Sequence, residues 1–129
     1  MYKNQTNEAK MTVLVIDDDE TITTLVKKTL ENADITVITA SSGKEGLNII
    51  KTMPPNAIVL DRKMPEMDGD EVLQQLKSNE QTRDIPVLML TSKNAITDVS
   101  ECLEMGASDY IVKPFDHSNL IVRVKNILR

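Results

Sequence analysis

Short runs of apolar and β-branched residues recur along the chain, at Val13–Ile16, Ile35–Thr39, Ala57–Leu60, Val87–Leu90 and Tyr110–Val112. Each is continuous rather than alternating, the pattern of strands covered on both faces in a parallel sheet. The stretches between them have a helical period. Ile22, Leu25, Val26, Thr29 and Leu30 share one helical face, as do Leu47, Ile49 and Ile50, and then Val72, Leu73 and Leu76. Ile96, Val99 and Leu103 form a fourth stripe, and Leu120, Val124, Ile127 and Leu128 a fifth. The punctuation agrees. Ser42-Gly43 precedes the second helical stretch and Pro54-Pro55 stops it, Asp68-Gly69 begins the third, and Gly106 follows the fourth, where a left-handed cap is wanted. Five strands alternating with five helices, (βα)5, predict an α/β fold built on a doubly wound parallel sheet with right-handed crossovers.

The 129 residues suit one domain and can bury a core without disulfides or structural metal. Residues 11–129 are expected to form it, after a flexible polar segment at 1–10 that lacks the apolar core of a signal peptide. Nothing is left over for a second domain, and no apolar run approaches the ~20 residues of a membrane span. The expectation is a soluble cytoplasmic domain. A net charge of −5 argues against a nucleic-acid-binding surface. Two tyrosines and one phenylalanine cannot build a base-stacking platform. The single cysteine, Cys102, and single histidine, His117, supply neither an internal disulfide nor an ordinary zinc site.

In a doubly wound sheet, ligands sit beyond the carboxyl ends of the strands, where the strand order reverses. The first strand ends in Asp17, Asp18, Asp19 and Glu20, the third in Asp61, the fourth in Thr91-Ser92 and the fifth in Lys113-Pro114. The second ends in the uncharged Ala40-Ser41-Ser42. Crowded carboxylates need a cation to remain ionised together, and an oxygen-only donor set suits a hard ion such as Mg²⁺. A lysine adds a point charge for an anion, and a threonine adds a hydroxyl. Together these groups describe a phosphoryl-transfer site in which a carboxylate can be the covalent nucleophile. Asp19 and Glu20 stand apart, because acids after a strand often complement the N-terminus of the next helix.

Four segments, VLVIDDDE, IVLDRKMPEMDG, VLMLTS and DYIVKPF, resemble the receiver domain of two-component response regulators, with the likeness running from Met11 to Arg129. The resemblance implies the flavodoxin-like receiver fold with strand order 2-1-3-4-5. It also implies a Mg²⁺-dependent phosphoacceptor domain of a phosphorelay, a signalling switch rather than an enzyme. By it, Asp61 accepts a phosphoryl group from a histidine kinase or phosphotransfer protein. Asp17 and Asp18 form the acidic pocket, and Asp18, Asp61 and the main-chain carbonyl of Lys63 ligate Mg²⁺. Lys113 pairs with the phosphoryl group, Thr91 hydrogen-bonds it, and Thr91 and Tyr110 act as the switch. A cis Lys113–Pro114 bond is implied too. Lys63 and Lys93 fall at the two positions that influence how fast water removes the phosphoryl group. An output domain or downstream effector would be the other partner, with no nucleic-acid or membrane binding by this chain. Winged-helix members dimerise through interchain charge pairs on the fourth helix, fifth strand and fifth helix. Asp109 and Arg123 match that set, but Val99, Ser108 and Asn119 do not, so a monomer or weak dimer is expected.

One rival reading uses the same first strand. IDDDET resembles the Asp-x-Asp-x-Thr motif of haloacid-dehalogenase-type phosphatases, with Asp17 as nucleophile and Asp19 as general acid. It needs an acidic pair after the lysine, where only Asp116 follows, and it leaves the Asp61 motif unused. An FMN carrier fails sooner, since four acids occupy the place of its phosphate loop. Structural roles suffice for Met64, Pro65 and Met67 as loop packing, for Cys102 as a small buried residue, and for His117 as a solvated one.

Overall fold

A computed structural model describes residues 10–92 and 96–129, so the proposed flexible segment lies outside the described residues except at Lys10. The elements follow the alternation of the sequence: β1 (Thr12–Ile16), α1 (Glu20–Glu31), β2 (Thr36–Ala40), α2 (Gly43–Thr52), β3 (Ala57–Asp61), α3 (Gly69–Ser78), β4 (Val87–Thr91), α4 (Ile96–Glu104), β5 (Asp109–Val112) and α5 (His117–Ile127). The five strands are all parallel and lie in the order β2-β1-β3-β4-β5. Among the described residues no helix is long and apolar enough to cross a membrane.

The continuous apolar runs have the expected cause in the three interior strands. Val13–Ile16, Ala57–Leu60 and Val87–Leu90 are all fully buried, and their side chains alternate between two cores. Leu14, Ile16, Ile58, Leu60 and Met89 pack with Ile50 of α2, Val72, Leu73 and Leu76 of α3, and Cys102 of α4. Val13, Val15, Val59, Leu88 and Leu90 pack on the opposite face with Val26 and Leu30 of α1 and Leu120 and Val124 of α5. The edge strands differ from the expectation: Thr36 is exposed and Ile38 and Thr39 are half-buried in β2, and only Ile111 is buried in β5. An edge strand has one neighbour and an open flank, so its apolar run need not be covered throughout.

Helix starts fall where a side-chain oxygen can accept an unpaired N–H. Asp19 caps α1 by accepting from the Thr21 N–H, Ser42 caps α2 from Glu45, Asp68 caps α3 from Glu71, and Asp116 caps α5 from Asn119. Gly106, at φ 105°, makes the left-handed turn after α4. That helix corrects one expectation. Leu103, assigned to its apolar stripe, is 46% exposed, and the neighbouring Cys102 is the buried residue. Cys102 and the half-buried Val99, three residues apart, share the inner face, and Leu103 lies one position round from it.

Candidate functional site

The carboxyl ends of β1, β3, β4 and β5 converge on one rim, and each brings the side chain expected there. Asp17 follows β1 directly, and its backbone N–H donates to the Ala40 carbonyl (3.1 Å) at the end of β2. Its carboxylate has no exposure to solvent. One oxygen accepts from the Asp19 backbone N–H (2.9 Å) and the other from Lys113 Nζ (3.2 Å). Asp61 is the last residue of β3, nearly buried, with Oδ1 3.1 Å from the same Nζ. Lys113 reaches both because its N–H donates to the Thr91 carbonyl (2.7 Å), which continues the β4–β5 pairing past the strand end. Thr91 closes β4 and is buried. The Lys113–Pro114 bond is cis, as the resemblance implied.

Asp18 is exposed and completes the cluster: one carboxylate oxygen from each of Asp17, Asp18 and Asp61 lies within 4.8 Å of the other two. Among the described residues one lysine pairs with these acids, so they outnumber their cation. Asp61 registers the deficit. Burial and then the charge of Asp17 push its carboxyl up to about 6, against the opposing pull of Lys113. For Lys113, burial disfavours the charged form, but hydrogen bonds and attraction to Asp61 and Asp17 outweigh it and raise its pKa. A compact, oxygen-only, anionic donor set with one member open to solvent fits Mg²⁺, which keeps several waters and takes one or two carboxylates.

Other candidates separate cleanly. Asp19 is engaged as the α1 cap and Glu20 lies in the first turn of that helix, so both serve the helix rather than the cluster. Lys63 is exposed in the loop after β3, and Lys93 lies outside the described residues. Tyr110 of β5 is half-buried against the α3–α4 core, with the Arg123 guanidinium 5.4 Å from its ring centroid. Arg123 also pairs with Asp109 at 2.9 Å within the same chain. Met64 is buried and Met67 packs partly buried beside it, as loop packing requires, and His117 is exposed.

Arg62 has no role in the sequence reading, yet it is buried next to Asp61. Its Nε and Nη2 donate to the two oxygens of Asp70 at 2.9 and 3.2 Å, and Nη2 also donates to Glu101 Oε1 at 2.8 Å. The Arg62 carbonyl accepts from the Gly69 N–H (2.9 Å) where α3 starts. Gly69 permits this approach, since a Cβ there would collide with the Asp61 carbonyl oxygen. The available signal was an arginine placed directly after a fully apolar strand and its terminal acid, a position that demands partners.

Strand order and site together define a flavodoxin-like α/β domain with an acidic, lysine-bridged rim at the point where the strand order reverses. The sequence matches the response regulator receiver domain over residues 13–125, and the chain belongs to that family, the receiver domains of two-component systems. Curated relatives include the alkaline phosphatase synthesis transcriptional regulatory protein PhoP of Bacillus subtilis, 46% identical over 117 residues, covering 91% of this chain and 48% of that protein. The DNA-binding dual master transcriptional regulator RpaA of Synechocystis is 42% identical with the same two coverages. This chain thus spans about half the length of those relatives. Among solved structures, the chemotaxis protein CheY4 of Vibrio cholerae superposes with a TM-score of 0.87 at 31% identity, covering 92% of this chain and 99% of that one. The phosphatase reading has no support in these relationships, and its proposed acid, Asp19, is committed to a helix cap.

Proposed function

We propose that Asp61 is the phosphoacceptor of this receiver domain. The observation that carries the reading is the position of its carboxylate, 3.1 Å from Lys113 and within one cluster with Asp17 and Asp18. An oxygen of ionised Asp61 attacks phosphorus, the O–P bond forms, and the N–P bond of a donor phosphohistidine breaks with its electron pair leaving on the imidazole. With a carboxyl that titrates at about 6, Asp61 is mostly ionised at neutral pH and can act as nucleophile. Lys113 then transfers its hydrogen bond from the carboxylates to a phosphoryl oxygen, and the Thr91 hydroxyl donates to another. Asp18, Asp61 and the Lys63 carbonyl would hold Mg²⁺, with Asp17 beside them, and the ion would neutralise charge building on the transferring group.

On this reading the protein is a signalling switch rather than an enzyme, acting in the cytoplasm. Its donor is a histidine kinase or phosphotransfer protein, and Thr91 and Tyr110 carry the change outward. PhoP and RpaA are transcriptional regulators, which supports transcription as the process controlled, through an output domain or effector. With Mg²⁺ and acetyl phosphate, the intact mass should rise by one phosphoryl group, and Asp61→Asn should abolish the gain. Undiminished labelling of that variant, mapped to Asp17, would overturn the assignment. Mg²⁺ titration should show Asp18→Ala weakening binding at least about tenfold more than Asp19→Ala, since only the first removes a cluster oxygen.

A further inference from the structure

Arg62 is the most buried cation among the described ion pairs, with its side chain 9% exposed. Its two carboxylate partners among the described residues are unequal. Asp70 accepts two hydrogen bonds from the first turn of α3, eight residues away in sequence, and is held there by the close packing of Gly69. Glu101 accepts one hydrogen bond from across the fold, on α4, and its side chain is 57% exposed. The Asp70 arm is fixed and bidentate; the Glu101 arm is single and open to competing water. Arg62 is also fastened to β4, since its N–H donates to the Leu90 carbonyl at 2.9 Å.

We propose that Arg62 is a positioning residue, which braces α4 against the strand end carrying Asp61 and opposes the shift of α4 when that site is phosphorylated. The inference rests on the phosphoacceptor reading above. Its physical basis is a conflict of attachments. Helix α4 is joined by the chain to Thr91 at the end of β4, and by the Glu101–Arg62 pair to the end of β3. A Thr91 hydroxyl drawn towards a phosphoryl group on Asp61 pulls the chain leading into α4, while Arg62 stays fixed by Asp70 and Leu90. The Glu101 arm must then stretch or break. A contact present only before the shift stabilises the resting state and weakens binding of whatever favours the shifted one.

Glu101→Gln is the suitable variant, because Arg62 remains neutralised by Asp70 and no buried charge is stranded. Glu104→Gln is its control. It removes the same charge from the same helix, at a residue with no ion pair among the described residues. The measurements are backbone amide exchange of α4 without phosphodonor, and beryllofluoride titration at saturating Mg²⁺. Glu101→Gln should accelerate α4 exchange several-fold, leave α3 unchanged, and lower the half-saturating beryllofluoride concentration about three- to tenfold, with Glu104→Gln like the parent. Faster exchange without the affinity change would make the contact merely structural and overturn the proposal. Equal effects of the two variants would assign the shift to helix charge and overturn it too. Unchanged exchange in Glu101→Gln overturns the brace even if beryllofluoride fails to bind. Failure of acetyl phosphate to label Asp61, by contrast, counts against the phosphoacceptor reading itself.

Discussion

Lys113 and Arg62 each bridge two carboxylates at the carboxyl end of the sheet, yet the burial of the partners is inverted between them. Around Lys113 the acids are the buried members, Asp17 at 0% and Asp61 at 7% side-chain exposure, while the cation is 21% exposed. Around Arg62 the cation is buried at 9%, and Asp70 and Glu101 reach solvent at 33% and 57%. Among the described residues the first group carries three acids against one lysine, an excess of negative charge. In the second, hydrogen bonds to Asp70 and Glu101 compensate the buried charge. The choice of cation follows the same division. A lysine is a point charge on a flexible stem and can change partner, whereas the guanidinium fork is fixed by geometry. Charge in excess marks where a ligand goes, and compensated charge marks where elements are held together.

The inversion predicts stability changes of opposite sign. Replacing both Asp70 and Glu101 by Asn and Gln takes two counter-charges from a buried guanidinium and should cost about 3 kcal/mol, because a buried charge that loses its compensation is expensive. Arg62→Leu should cost less, about 1–2 kcal/mol, since the two released carboxylates can hydrate. Asp61→Asn should do the reverse in metal-free protein and stabilise it by about 1–2 kcal/mol, by relieving a buried, crowded acid. Urea unfolding with EDTA measures all three. A destabilising Asp61→Asn would mean that Lys113 already compensates the cluster.

The same contrast has a pH dependence. Asp61 titrates at about 6 in the folded chain, against about 4 for an ordinary aspartate. Between those values the folded protein holds a proton that the unfolded chain has released, so folding is favoured by acid. The contribution of Asp61 is therefore fully present below about pH 4 and lost as pH rises through about 6. The stability of the parent minus that of Asp61→Asn should fall across this window without divalent cation. Mg²⁺ should reverse the slope, because ion binding requires the ionised carboxylate. A flat difference in EDTA would show that the carboxyl is not held up by its surroundings.

The Lys113 group was legible in the sequence and the Arg62 group was not, for a physical reason. Asp17, Asp18, Asp61, Thr91 and Lys113 each terminate an apolar run, and a parallel sheet brings all such ends to one rim whatever the helices do. Arg62 also follows such a run, but its partners are on α3 and α4, and pairing them requires the orientation of both helices. Period alone gave that orientation for α3, where Val72, Leu73 and Leu76 are all buried as expected. It failed for α4, where Leu103 faces solvent and Cys102 faces the core. A nine-residue helix carries too few apolar positions for period alone to fix its phase. At β2 and β5 the apolar runs identified strands correctly, but edge position depends on strand order, which a run does not encode.

The smallest expected effect concerns Lys63 and Lys93, two residues after Asp61 and Thr91 in the sequence. Lys63 is exposed one residue beyond Arg62, and Lys93 lies outside the described residues, two positions after Thr91. Unlike Lys113, Lys63 makes no ion pair among the described residues, so its influence on a phosphoryl group is that of a solvated charge. A solvated cation should favour the dianion in place by no more than ~1 kcal/mol. A protonated lysine is also unable to serve as a base for the attacking water. The phosphorylated chain should therefore be long-lived, and the Lys63→Ala, Lys93→Ala double variant should lose the phosphoryl group about two- to fivefold faster at low salt. Added salt should accelerate decay of the parent and leave the variant nearly unchanged, because exposed charges are screened within about 10 Å at 0.1 M. Lys113→Ala serves as the upper reference, since it removes the buried partner of the phosphoryl group itself. Equal decay of parent and double variant at low salt would make both lysines bystanders and leave Lys113 as the cation that governs the phosphoform.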